Sequence, residues 1–91
     1  MEITKELNIL LLDKFNVEVA QIAKGIFLRM EDYEEDDIAD ALSQAMDEEL
    51  IYTEDLWSIM AYYTTPQEAN FNEAMDEFYN DLLDILYKVN A

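Results

Sequence analysis

The side chains able to do chemistry in this chain are carboxylates. Of its 91 residues, 22 are Asp or Glu, five are Lys or Arg, and none is His or Cys. Thiolate chemistry, disulfides and imidazole ligands are thereby excluded. Carboxylates have three common uses: holding a metal ion, working as a catalytic acid–base pair, and presenting negative charge to a basic surface.

The metal reading centres on Asp32-Tyr33-Glu34-Glu35-Asp36-Asp37. A calcium loop of the EF-hand type needs alternating ligands, Gly at its sixth position and Glu at its twelfth. Here those positions hold Asp37 and Ser43, so no specific metal site is expected. Catalysis by paired carboxylates needs a pocket that raises one pKa. Acids are so abundant here that a pair by itself means nothing. The single Gly also rules out a phosphate-cradling loop. The expectation is a protein that is not an enzyme and takes no cofactor.

Charge presentation has ordered spacing behind it. Glu73, Asp76, Glu77, Asp81 and Asp84 follow one another at steps of 3, 1, 4 and 3, which predicts one stripe on a helix. Carboxylates four residues apart rise about 6 Å along the axis. Phosphates along one DNA strand are similarly separated, and a duplex carries one charge per ~1.7 Å. Residues 31–55 supply a second row, with twelve acids and no base, in which Glu34, Glu35, Asp36, Asp37 and Asp40 are the candidates. Charge runs are usually solvated helix faces. Solvated faces nevertheless tend to mix signs, because Glu–Lys pairs at i,i+4 support a helix and like pairs weaken it. Near-absence of bases across 61 residues favours a functional surface.

Among the aromatic residues, Tyr62-Tyr63 is the pair predicted to be exposed. Tyr and Trp anchor interfaces, so this pair is the candidate hot spot or homodimer contact. A dimer would join the acidic rows of two copies.

The elements that must position these groups are helices. With one Gly and one Pro, the chain lacks the turn residues of a β-rich fold. The first helix is expected from Thr4 to about Phe15. A second is expected from Val17 to Met30, with Asn16 as N-cap and Gly25 tolerated inside for close packing. A third runs from Asp36 to Asp47, with Ile38, Ala41, Leu42 and Ala45 inward. A fourth spans Glu54 to Tyr63, capped by Thr53. The last opens on Thr65-Pro66-Gln67-Glu68, a capping box with Pro at N1, and runs to about Val89. Its seam is Phe71, Met75, Phe78, Leu82, Ile85 and Val89. The fold class is therefore all-α: one domain, residues 1–91, forming a compact bundle of about five helices with a long acidic C-terminal helix.

Composition agrees with a folded domain. The hydrophobic fraction is 52% and the formal net charge is −17, whereas disordered acidic tails are also poor in apolar residues. The first 30 residues hold four acids and four bases, while the remaining 61 hold eighteen acids and Lys88. Such a balance disfavours direct binding to nucleic acid or an anionic membrane and asks for a basic partner. No apolar run approaches the ~20 residues of a membrane span. The start lacks signal-peptide features, and a cytoplasmic location is expected.

Asp36-Asp37-Ile38-Ala39-Asp40-Ala41-Leu42, Ala45-Met46-Asp47 and Leu50-Ile51-Tyr52-Thr53-Glu54-Asp55-Leu56-Trp57-Ser58-Ile59-Met60-Ala61, followed by a long acidic helix, resemble the small acidic phage proteins of the Ocr-like anti-restriction type. The resemblance covers roughly residues 31–89. It implies a phage-encoded helical DNA mimic that occupies the DNA groove of a host defence protein in the host cytoplasm. The target would be a restriction enzyme or, as with other acidic mimics, a CRISPR effector. The neutral first 30 residues depart from that pattern. The alternative expectation is an acidic adaptor or regulator that binds one basic protein without imitating DNA.

Overall fold

The computed structural model describes residues 2–31, 35–65, 67 and 70–89; the Glu35 side chain lies outside that description. Five helices follow in order: α1 (Lys5–Lys14), α2 (Val17–Phe27), α3 (Glu35–Asp47), α4 (Thr53–Tyr63) and α5 (Phe71–Val89). There is no strand among the described residues, and the molecule is an all-α bundle.

Each boundary has a local cause. The Leu7 N–H donates to Thr4 Oγ1 at 3.1 Å, and the Val19 N–H donates to Asn16 Oδ1 at 2.8 Å. These side-chain caps satisfy donors that a helix start leaves open. Phe15 and Asn16 are extended between the two helices, so α1 turns sharply into α2. The second helix ends at Phe27, short of the expected Met30. There the Arg29 and Met30 N–H groups donate three residues back, to Ile26 and Phe27, tightening the chain out of the α-helix.

The end of α3 is a Schellman motif. The Leu50 N–H donates to the Ala45 carbonyl at 2.9 Å and the Glu49 N–H to the Met46 carbonyl at 3.1 Å. Glu49 occupies the left-handed position, with φ 61°, where Gly is the usual residue. The cap of α4 is Tyr52 and not Thr53; its N–H donates to Asp55 Oδ2 at 2.9 Å. The last helix starts later than expected. Thr65 and Gln67 are not helical; Pro66 and Glu68 of the expected capping box lie outside the described residues. Asn70 is the cap in their place, accepting the Glu73 N–H on Oδ1 at 3.2 Å.

The core lies between α2 and α5. On α2, Val19, Ala20, Ile22, Ala23, Ile26 and Phe27 are buried, and that helix packs on α1, α3 and α4. Met75, Phe78, Leu82, Ile85 and Leu86 enter from α5, which packs on the same three neighbours. From α3, Ile38, Ala41, Leu42 and Ala45 point inward as expected. Phe71 does not join the seam and stays 46% exposed. No polar or charged side chain is buried among the described residues. Gly25 does not mark a tight contact: a Cβ there would meet Ile51 Cδ1 at 3.6 Å, an ordinary distance. The bundle measures 37 × 27 × 21 Å.

Candidate interaction surface

The surface is built from carboxylates that the core pattern pushes outward. On α5 the buried positions define one face, and Glu73, Asp76, Glu77 and Asp84 all fall outside it, exposed. On α3, Asp36 and Asp40 are exposed, and Asp47, Glu48 and Glu49 extend the acidic run past its end. Glu54 carries it onto α4. Glu34 lies outside the described residues, and of Glu35 only the backbone, the first residue of α3, is described.

Two expected row members are placed differently. Asp37 is half-buried, and its Oδ2 is shielded from solvent without a hydrogen-bond partner. It borders a polar cleft of about 220 Å³ with Arg29, Glu31 and Asp40. Asp81 does not belong to the outward stripe. Its Oδ2 accepts the Tyr63 hydroxyl at 2.5 Å and lies 3.6 Å from Lys14 Nζ, which ties α5 to α4 and α1. The cause is helical drift. Each step of four residues turns about 40° around the axis, so a row that starts outward at Glu73 reaches the α4 side two steps later.

The tyrosine pair is split: Tyr62 is exposed, at 37%, and Tyr63 is half-buried. Neighbouring residues on a helix sit about 100° apart, so one must turn in when the other faces out. The Tyr62 hydroxyl donates to the Lys14 carbonyl at 2.6 Å. Tyr62 stacks edge-on against Phe15 and Tyr63, with centroids 5.6 and 4.9 Å apart, and Phe15 meets Phe78 at 5.7 Å. Burial raises the pKa of Tyr63 well above the usual phenol, and hydrogen bonding to Asp81 with the charges of Asp81, Tyr62 and Glu77 adds to the shift. Tyr79 is raised too, by burial and then by Asp76. This cluster ties α1, α4 and α5 together, with Tyr62 at its exposed edge.

Two of the five bases are spent on ion pairs within the chain. Lys14 pairs with Asp81, and Arg29 pairs with Glu48. The last turns of α3 and α4 contain no base. Acids therefore stand at the negative end of α3, where the helix dipole opposes them. Among the described residues no group of three carboxylates is arranged to hold a metal ion. No helix there is long and apolar enough to cross a membrane.

The surface also carries an apolar feature that residue spacing alone does not announce. Thr53, Leu56, Trp57, Met60 and Phe71 line an apolar groove between α4 and the start of α5. Trp57 is 62% exposed. A signal was available: Phe71 directly follows Asn70, a good N-cap, so it sits at the frayed first position of its helix and not in mid-seam. Set against protein-family models, curated proteins and solved structures, the chain matches none.

Proposed function

We propose that the protein is a phage-encoded DNA-mimic inhibitor. In this reading it occupies the basic DNA-binding surface of a host defence protein, a restriction enzyme or a CRISPR effector, and blocks access of DNA. The observation that carries the reading is charge per length. A net charge of −17 on a body 37 Å long is about one charge per 2 Å, against one per ~1.7 Å of duplex. The same length is close to one turn of B-DNA, ~34–36 Å. Placement of acids against local stability, as at Glu49 and the end of α3, supports a use for the charge beyond solubility, for which a net charge of about 2–8 suffices.

The reading predicts fast, salt-sensitive association. Immobilised protein should capture DNA-binding proteins from a bacterial lysate at low salt, and nonspecific duplex DNA should release them. A combined Glu73→Gln, Asp76→Asn, Glu77→Gln, Asp84→Asn variant should associate about tenfold more slowly or worse, with an unchanged helical spectrum. Capture that is undiminished in this variant sinks the mimic.

The apolar groove favours a second reading, the acidic adaptor. DNA offers no aromatic anchor for a partner to seat, whereas a protein-binding regulator does. An adaptor would form a ternary complex with its partner and DNA in place of being displaced.

A further inference from the structure

Of the five helices, α4 contributes least to the core. Only Ile59 on it is fully buried. Leu56 and Met60 are half-buried, and Trp57 stands mostly in solvent. The groove they form with Phe71 encloses about 520 Å³, room for one or two large side chains. Contiguous exposed apolar surface on a small protein marks an interaction site, and Trp is the residue most enriched at interface hot spots.

Charge decides what can cover it. Between them α4 and α5 carry seven acids and one base, Lys88. Lys88 is 17 residues beyond Phe71, about 25 Å along the helix. Glu54 is three residues before Trp57 and so its neighbour on the helix surface. Glu73 is exposed two residues beyond Phe71 on α5, and the charge of Glu77 is felt at Tyr63 of α4. A second copy of this chain, a nucleic acid or an anionic lipid surface would each bring negative charge against this rim. A basic segment with an apolar stripe is complementary in both respects.

Resting on the reading that the partner is a basic protein, we infer that the α4–α5 groove docks a basic amphipathic helix of that partner. One aromatic or long aliphatic side chain seats between Trp57 and Phe71. Lys and Arg on the flanks of the docked helix meet Glu54 and the α5 carboxylates. The acidic surface supplies encounter rate, and the groove supplies residence time.

Trp57 is the only Trp in the chain, so its fluorescence reports on the groove directly. The probe is a synthetic Leu/Lys peptide of about 18 residues, long enough to form a helix, with Leu at helical spacing. Its control is an isomer of identical composition in scrambled order. Both are titrated into the full chain at low and high salt. The amphipathic peptide should bind about tenfold tighter than the isomer, shift Trp57 emission to the blue and keep its advantage at high salt. Phe71→Ala, at an exposed helix start, should remove that advantage while leaving the isomer's binding and the helical spectrum unchanged. Equal binding of the two peptides with unshifted Trp57 emission overturns the groove and leaves the acidic surface standing. Failure of both peptides to bind at low salt overturns both readings. Emission that shifts with protein concentration alone assigns the groove to a second copy and overturns the inference.

Discussion

At Glu49 two unfavourable terms coincide. Its φ of 61° is left-handed, a conformation that costs a residue with a side chain roughly 1–2 kcal/mol. Its carboxylate also follows the C-terminus of α3, where negative charge is disfavoured by about 0.3–1 kcal/mol. Glu49→Gly should therefore stabilise the fold by about 1 kcal/mol or more, seen as a higher urea midpoint at unchanged slope. Tyr63 makes the opposite kind of statement. Its pKa is raised in the fold, so the folded state keeps a proton that the unfolded chain releases from about pH 10 upward. Stability is then fully present below that pH and falls as pH rises further. Tyr63→Phe should flatten this alkaline loss in urea titrations above pH 10, with Tyr79, raised for a similar reason, accounting for part of what remains.

Gly25 illustrates how an element carries a cost that nothing in its surroundings demands. It lies inside α2 with negative φ and has room for a methyl group against Ile51. Gly25→Ala should stabilise the protein by about 0.5–1 kcal/mol, measured as a rise in thermal midpoint. Much of the helical layout was legible because its determinants are local. Thr4 and Asn16 cap the helices they precede, and the 3–4 spacing of Ile38, Ala41, Leu42 and Ala45 matches the face that is buried. Where two local signals compete, spacing does not choose between them. Thr65-Pro66 and Asn70 are both residues that can open a helix, and α5 starts after Asn70, whose Oδ1 accepts the Glu73 N–H. Tyr52 overrides Thr53 because Asp55 reaches its N–H. The acidic rows were legible as a composition, yet Asp81 and Tyr63 were not legible as partners, since their bond joins residues on different helices.

The whole molecule is held together against its own charge. The neutral stretch through α1 and α2 lends Lys14 and Arg29 to acids on α5 and beyond α3, but most carboxylates among the described residues face solvent without an ion pair to Lys or Arg. Self-repulsion of this kind is screened within about 10 Å at 0.1 M salt. Raising salt should therefore increase the unfolding free energy, on the order of 1 kcal/mol, while it weakens partner binding; urea titrations at several salt concentrations read the first effect. The groove was hard to read from the sequence because it belongs to no single helix: Trp57 and Phe71 line one groove only once α4 and α5 are packed. The Lys14 and Arg29 clamps carry one more consequence. A protease that cuts after basic residues finds only Lys5, Lys14, Lys24, Arg29 and Lys88 to attack. The Lys14 carbonyl is held by Tyr62, its ammonium by Asp81, and the Arg29 guanidinium by Glu48. Lys24 lies within α2, and the 58 residues between Arg29 and Lys88 offer no cleavable bond at all. Digestion after basic residues is thus confined to a few sites, with Lys5 and Lys88 near the two ends, by the same scarcity of positive charge that defines the surface.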